Sequence, residues 1–244
     1  MRNYKASGLH AVALLVIAVG AAADETAGPE VIAAYVPARF TEGTENAASQ
    51  IEYPMHKGNI AFFINCGVSL TATGEVKERF CLDFYGSHDA RFQRAARKYL
   101  RKAEFEPARV DGTAVPVTFY FRIFFGKQDT NYAVGVYPNW GDDTEKYGLD
   151  YTAPQQYEQP RFPTACRDTG GLLKIQVDAE GKAVGETELL MTTHGQLRQS
   201  DCDRWYIDMA KNGKYIPAMH EGKPVPAMHA GIWGDPDWIS LKMP

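Results

Sequence analysis

Two Met-His pairs, Met219-His220 and Met228-His229, are the most metal-like constellation in the chain. Thioether and imidazole donors suit copper, so a copper-handling module is one reading. Both pairs fall in strand-like sequence. Neighbouring side chains there point to opposite faces, so one pair does not easily supply two ligands. The competing reading packs Met219 and Met228 in a core and leaves the histidines in solvent. His56, His88 and His194 stand alone and read as surface or hydrogen-bonded groups. The chain has no Gly-x-Ser-x-Gly, no His-Glu-x-x-His, no phosphate-cradling glycine loop and no dinucleotide fingerprint. Carboxylates such as Asp83, Glu104 and Glu106 carry no spacing that assigns them a role. The expectation is a protein that is not an enzyme and needs no cofactor.

Both Met-His pairs lie in Tyr215–Trp233, a fainter copy of Phe105–Phe125. Pro107 matches Pro217, Ala108 Ala218, Gly112 Gly222, Val115 Val225 and Pro116 Pro226, each 110 positions apart. A pattern repeated at fixed offset signals duplicated units. The stretches before each copy run in the same order. Ile60–Leu70 and Val76–Phe84 read as strands joined by a two-residue turn at Thr73-Gly74. Ser87 or Asp89 caps a helix over Ala90–Ala103. Phe92, Ala95, Ala96, Tyr99 and Leu100 line its apolar face, and Arg91, Arg94, Arg97, Lys98 and Arg101 its solvated face. In the second stretch a short helical piece, Thr164–Asp168, precedes strands at Leu172–Val177 and Ala183–Met191. Asp178–Gly181 turns between them, and a helix runs from Ser200 or Asp201 to Asn212.

The expected fold is therefore α+β. It has two tandem small units, 51–126 and 160–240, each an antiparallel three-stranded sheet packed with one or two helices. The connector 127–159 is rich in aromatics: Tyr132, Tyr137, Trp140, Tyr147, Tyr151 and Tyr157. It is expected to pack over the units, with an aromatic ligand surface as the functional alternative. Residues 24–50 form a polar N-terminal segment. Val36-Pro37-Ala38-Arg39 there echoes Glu106-Pro107-Ala108-Arg109, too briefly to count as a third repeat.

Residues 1–23 read as a signal peptide: basic Arg2 and Lys5, an apolar Ala11–Val19, and a cut after Ala21-Ala22-Ala23. The alternative is an inner-membrane anchor at residues 9–23. Losing Arg2 and Lys5 takes the formal charge of the 244-residue chain from −4 to −6, which disfavours nucleic acid or an anionic membrane as partner. All four cysteines lie after the cut, and an even number in an oxidising compartment implies disulfides. Two fall in each unit, so Cys66–Cys81 and Cys166–Cys202 are the expected pairs. Counting back from the turn at Thr73-Gly74 also sets Cys66 opposite Cys81.

The order of these motifs resembles the C-terminal domain of TonB-type energy transducers, in the TonB/TolA C-terminal superfamily. The second unit carries Phe162-Pro163, Gly170-Gly171, Asp178–Gly181, Thr192–Gly195, Tyr215–Ala218 and Gly222–Val225. The first keeps Tyr53-Pro54, Gly74 and Phe105–Val117 and departs in its cysteine-bearing hairpin. Asp24–Gln50 spans less than ~100 Å even fully extended, too short for the long proline-rich bridge of a transducer. The resemblance implies a periplasmic protein that binds an extended segment of an envelope partner by strand addition, linked to TonB-dependent outer-membrane transport. The closing strands, Val115–Phe124 and Pro224–Trp233, would offer the edge. The residues implied to meet the partner are Tyr53, Pro54, Phe162 and Pro163, with Val225 and Ala227 on the closing strand. The alternative is a purely structural pair of units braced edge to edge, with Pro116, Pro224 and Pro226 guarding the edges.

Overall fold

The computed structural model describes residues 35–82, 90–157, 166, 169–192 and 201–234. Phe162, Pro163, His88, His194, the expected caps Ser87, Asp89 and Ser200, and the segment read as a signal peptide lie outside them. The elements run β1 (Tyr35–Val36), β2 (Arg39–Phe40), α1 (Gly43–Ser49), β3 (Ile60–Leu70), β4 (Val76–Leu82) and α2 (Ala90–Leu100). Next come β5 (Phe105–Glu106), β6 (Ala108–Val110), β7 (Thr113–Val115), β8 (Val117–Gln128), β9 (Asn131–Tyr137), α3 (Thr144–Tyr147) and β10 (Gln155–Tyr157). Last are β11 (Gly170–Val177), β12 (Ala183–Thr192), α4 (Asp201–Lys211), β13 (Lys214–Ile216), β14 (Ala218–His220), β15 (Lys223–Val225) and β16 (Ala227–Gly234). No helix among the described residues is long and apolar enough to cross a membrane.

The fold mixes helices with several small antiparallel sheets. The larger one has the order β13-β10-β8-β3-β4, with β9 also on β8, and a second has the order β12-β11-β16. In each, a hairpin is followed by a helix and then by a strand that returns to pair with the first strand of the hairpin. The larger sheet exceeds the three strands expected of it. Connector strands β9 and β10 join it, and through β10 so does β13. The described residues all belong to one compact unit.

Alternation builds the core. Phe119, Phe121, Ile123 and Phe125 of β8 and Ile64, Cys66, Val68 and Leu70 of β3 share one cluster with Phe92, Ala96, Tyr99 and Leu100 of α2. The opposite face of β8 is also closed at its first half. There Tyr120 packs with Phe80, Leu82, Trp140 and Ile232. The second helix and sheet enclose Leu173, Ile175, Val177, Tyr206, Met209, Ala210 and Tyr215.

The segment expected to be merely polar contributes to the core as well: Ala38, Phe40 and Ala47 are fully buried. The short Pro-Ala-Arg echo is a pairing signal. β1 pairs antiparallel with β6, and β2 with β5, so the two Pro-Ala-Arg segments lie against each other. The prolines interrupt that ladder. The Gln155 side chain bridges the break, accepting from Ala38 N at 2.8 Å and donating to Ala38 O at 2.9 Å.

Both disulfides have the expected pairing, Cys66–Cys81 and Cys166–Cys202. The register behind the first differs from the simple count. Thr71 N bonds to Glu75 O, which makes a three-residue turn. A register shift between Ser69 and Leu70 then restores Cys66 opposite Cys81. The second hairpin turns the same way. Thr71 Oγ1 accepts from the amides of Thr73 and Glu75, as Asp178 Oδ1 does from those of Glu180 and Lys182.

The aromatic-x-Pro-Ala motif packs onto these turns. A Cβ on Gly74 would meet Phe105 O at 2.6 Å, and one on Gly181 would meet Tyr215 O at 2.2 Å. Gly181 also has φ +79°. The motif and the turn glycine are thus one contact, made twice. At Gly222 the φ is +75° but nothing lies within 4 Å of a Cβ. Gly222→Ala should therefore cost about 1 kcal/mol, the left-handed penalty alone. Gly181→Ala should cost about 3 kcal/mol or more, because a backbone carbonyl must also shift. Urea unfolding of the two variants checks this; equal losses would remove the proposed contact.

Candidate functional site

The residues marked as partner-binding fall in different places. Tyr53 is half-buried, its ring 5.7 Å from Phe92, 6.1 Å from Phe125 and 5.0 Å from Tyr132. Its hydroxyl is buried without a hydrogen-bond partner among the described residues, and burial raises its pKa. Pro54 beside it is half-buried. Val225 pairs with Ala218 inside the β14–β15 hairpin, and the fully buried Ala227 pairs with Val177 of β11. Met228 N and Ile232 N have partners away from β11, so the alternating amide of Ala227 points toward β11. Neither Val225 nor Ala227 presents an open main-chain edge.

The closing strands are occupied from within the chain. β8 is flanked by β3 along one side. On its other side β9 pairs from Arg122 to Gln128, and Tyr157 of β10 pairs with Val117. The Trp140 indole lies over the β3–β8 seam, donating to Cys66 O at 3.0 Å and to Phe121 O at 3.1 Å. In the second sheet the connector runs antiparallel along the closing segment. β10 pairs with β13, and Thr152 exchanges two main-chain bonds with Met219. Farther on, Tyr147 Oη donates to Pro226 O at 2.6 Å and Met228 N donates to Asp143 Oδ2 at 2.6 Å. Ile232 N donates to Tyr120 Oη at 3.0 Å. A main-chain or side-chain partner therefore sits at intervals along the edge on which strand addition was expected.

In the two larger sheets three other strands are edges among the described residues, and two are guarded. β4 exposes Lys77, Glu78 and Arg79, and Gln93 Nε2 donates to Cys81 O at 2.9 Å. β12 exposes Glu186 and Glu188, and its pairing with β11 shifts register twice. Charge and bulges are the usual defences of an edge.

β9 has neither. Asn131–Tyr137 carries no charge and no proline, and it pairs with β8 in unbroken register. Asp129 and Thr130 form a two-residue turn. Asn131 and Ala133 therefore bond to β8, while the main-chain groups of Tyr132 and Val134 face outward. α1 packs against β9 and Val136 is buried, which leaves Asn131, Tyr132 and Ala133 exposed. Tyr132 is 68% exposed. Beside it lies an open trough of about 600 Å³ lined by Ala61, Phe124, Gly126, Tyr132 and Ala133, with Asn131 and Gln128 at its end. Sequence reading placed Tyr132 in a connector; the uncharged alternation NYAVGVY was the available strand signal.

The Met-His pairs are arranged otherwise than the reading with core methionines and solvated histidines held. Met219, Met228 and His220 are half-buried, and His220 packs 5.4 Å from the Tyr147 ring. His229 is not solvated but 1% exposed, between Tyr120 at 5.8 Å and Tyr215 at 4.9 Å. Its Nδ1–H donates to Pro154 O at 2.9 Å. No group of three or more His, Cys, Asp or Glu able to hold a metal ion occurs among the described residues.

Burial pulls the His229 pKa from 6.5 down to about 4, against smaller upward pulls from Pro154 O and Asp142. At neutral pH the ring is uncharged in both folded and unfolded chains and this linkage vanishes. Below pH 6.5 the unfolded chain takes the proton first, so stability falls on acidification until about pH 4. The loss from this group is on the order of 3 kcal/mol. Urea unfolding at pH 7 and pH 4.5 should show His229→Gln losing less stability on acidification than the unaltered chain. Parallel losses would mean that His229 titrates normally.

No family model, curated protein or solved structure matches this chain. Its function is read from its own strand edges and buried side chains.

Proposed function

We propose that this is an exported, non-enzymatic binding protein built from two TonB-C-like units, and that it takes an extended segment of an envelope partner by strand addition at the outer edge of β9. The observation that carries the reading is an edge whose outward main-chain groups at Tyr132 and Val134 are unpaired among the described residues, with none of the defences seen on β4 and β12. Main-chain bonds would supply affinity, and the trough beside Ala133 would supply a place for a partner side chain. The repeated order of hairpin, helix and returning strand supports the two-unit description. Two disulfides support an extracytoplasmic address, since reducing compartments seldom keep them.

The site differs from the closing strands to which the family resemblance points. The connector already lies along the closing segment of the second sheet, and β9 itself fills the closing edge of the first. β9 then becomes the new rim. Tyr53, of the Tyr-Pro step, touches it through the Tyr132 ring. The resemblance to a receptor-binding arrangement is thus kept, shifted outward by one strand.

Seven-residue peptides selected from a displayed library should slow hydrogen exchange at the Tyr132 and Val134 amides. Tyr132→Pro removes an outward N–H without touching the β8 ladder. It should weaken those peptides about tenfold or more, with the circular dichroism spectrum unchanged. Tyr132→Lys, which adds a charge to the edge, should act the same way. Protection confined to β4, β12 or β16, or unchanged binding by both variants, would overturn the β9 assignment.

A further inference from the structure

Arg122 sits on the β8 face opposite the core and is 8% exposed. Its guanidinium lies 4.2 Å over the Phe63 ring and 5.7 Å from the Tyr137 ring. Gly141 presses against one corner: a Cβ there would meet Nη1 at 2.1 Å but Nη2 only at 3.4 Å. The other corner is unsatisfied. Nε and Nη2 are both buried and make no hydrogen bond among the described residues. These are the two nitrogens whose N–H groups run parallel and form a side-on fork.

No ion pair reaches the guanidinium from the described residues. Asp142 attracts it electrostatically, but that carboxylate is paired with Lys174. Burying an unpaired cation costs more than stacking on a ring returns. The neighbouring loop holds a second orphan: Asn139 is fully buried, with Oδ1 lacking a donor although Nδ2 bonds to Leu149 O and Tyr151 O. A carboxylate, which only accepts, would not satisfy that oxygen, so it is the two orphaned guanidinium nitrogens that point to a ligand the described residues do not supply.

We propose that Arg122 is a carboxylate-binding site, with the planar anion received edge-on by Nε–H and Nη2–H between the Phe63 and Tyr137 rings. Planarity follows from the flanking rings, and two-point contact from the fork. Both rings are only half-buried, and movement of one of them is the access route the proposal requires. The ligand class is a small organic acid or the carboxylate end of a peptide. The site is independent of the β9 edge, because Arg122 pairs with Tyr137 at the far end of that strand from Tyr132.

The probes are acetate, benzoate and the C-terminal dipeptide analogue acetyl-glycyl-alanine, with phosphate and sulfate as non-planar controls. The readout is the Arg122 Nε–Hε resonance in a nitrogen-15 correlation spectrum. A saturable shift is expected with the carboxylates and a much weaker one with the tetrahedral anions. Benzoate against the peptide analogue distinguishes the two sources. Arg122→Met should lower carboxylate affinity about tenfold or more, and without anion it should be no less stable than the unaltered chain. If that variant does not fold, the titration of the unaltered chain decides alone. No saturable shift, or equal shifts with phosphate and sulfate, would overturn the assignment.

Discussion

Main-chain N–H and C=O groups on the rim of a sheet have to find partners or face water, and most of this architecture is arranged around that requirement. β8 has a neighbour on both sides because the connector returns as β9 and β10. The second sheet solves the same problem less regularly. Its closing segment is met by β10, then by the Thr152 backbone, then by the side chains of Tyr147, Asp143 and Tyr120. The connector is therefore a paired part of the fold and not a tether. It substitutes for a strand wherever its own backbone cannot stay extended.

Proline placement follows from the same constraint. Pro107 and Pro217 separate β5 from β6 and β13 from β14. Pro116 and Pro226 separate the small hairpins from β8 and β16. In each place the chain leaves one ladder and joins another, so a missing N–H is tolerated. Gln155 completes the device, since its side-chain amide can present one donor and one acceptor at Ala38 as a strand would.

Between the two sheets lies a layer of aromatic and polar side chains that a purely apolar interface would not need. Tyr120 reaches Ile232, His229 reaches Pro154, and Lys174 reaches Asp142. Burial holds Tyr120 and Tyr215 in their neutral forms and makes His229 hard to protonate. Such a layer specifies one mutual placement of the sheets, because each buried group has a partner it cannot exchange without cost.

Local pattern determined much of this by itself. The alternation through Phe119, Phe121 and Ile123 marked a strand. The spacing of Phe92, Ala96 and Tyr99 marked a helix. The five residues repeated at a separation of 110 marked two hairpins with the same turn, Asp111-Gly112 and Glu221-Gly222, both at positive φ. Both cysteine pairs were legible from their position in the repeat. Tertiary structure alone decided which edges stayed open. Tyr132 and Tyr147 look alike in sequence, two tyrosines in one aromatic-rich stretch, yet one stands exposed on a rim and the other caps Pro226 O. His229 read as solvated because strand periodicity gives only which face a side chain takes, not what covers that face. Edge partners and face covers are supplied by segments distant in the chain, and no local periodicity encodes them.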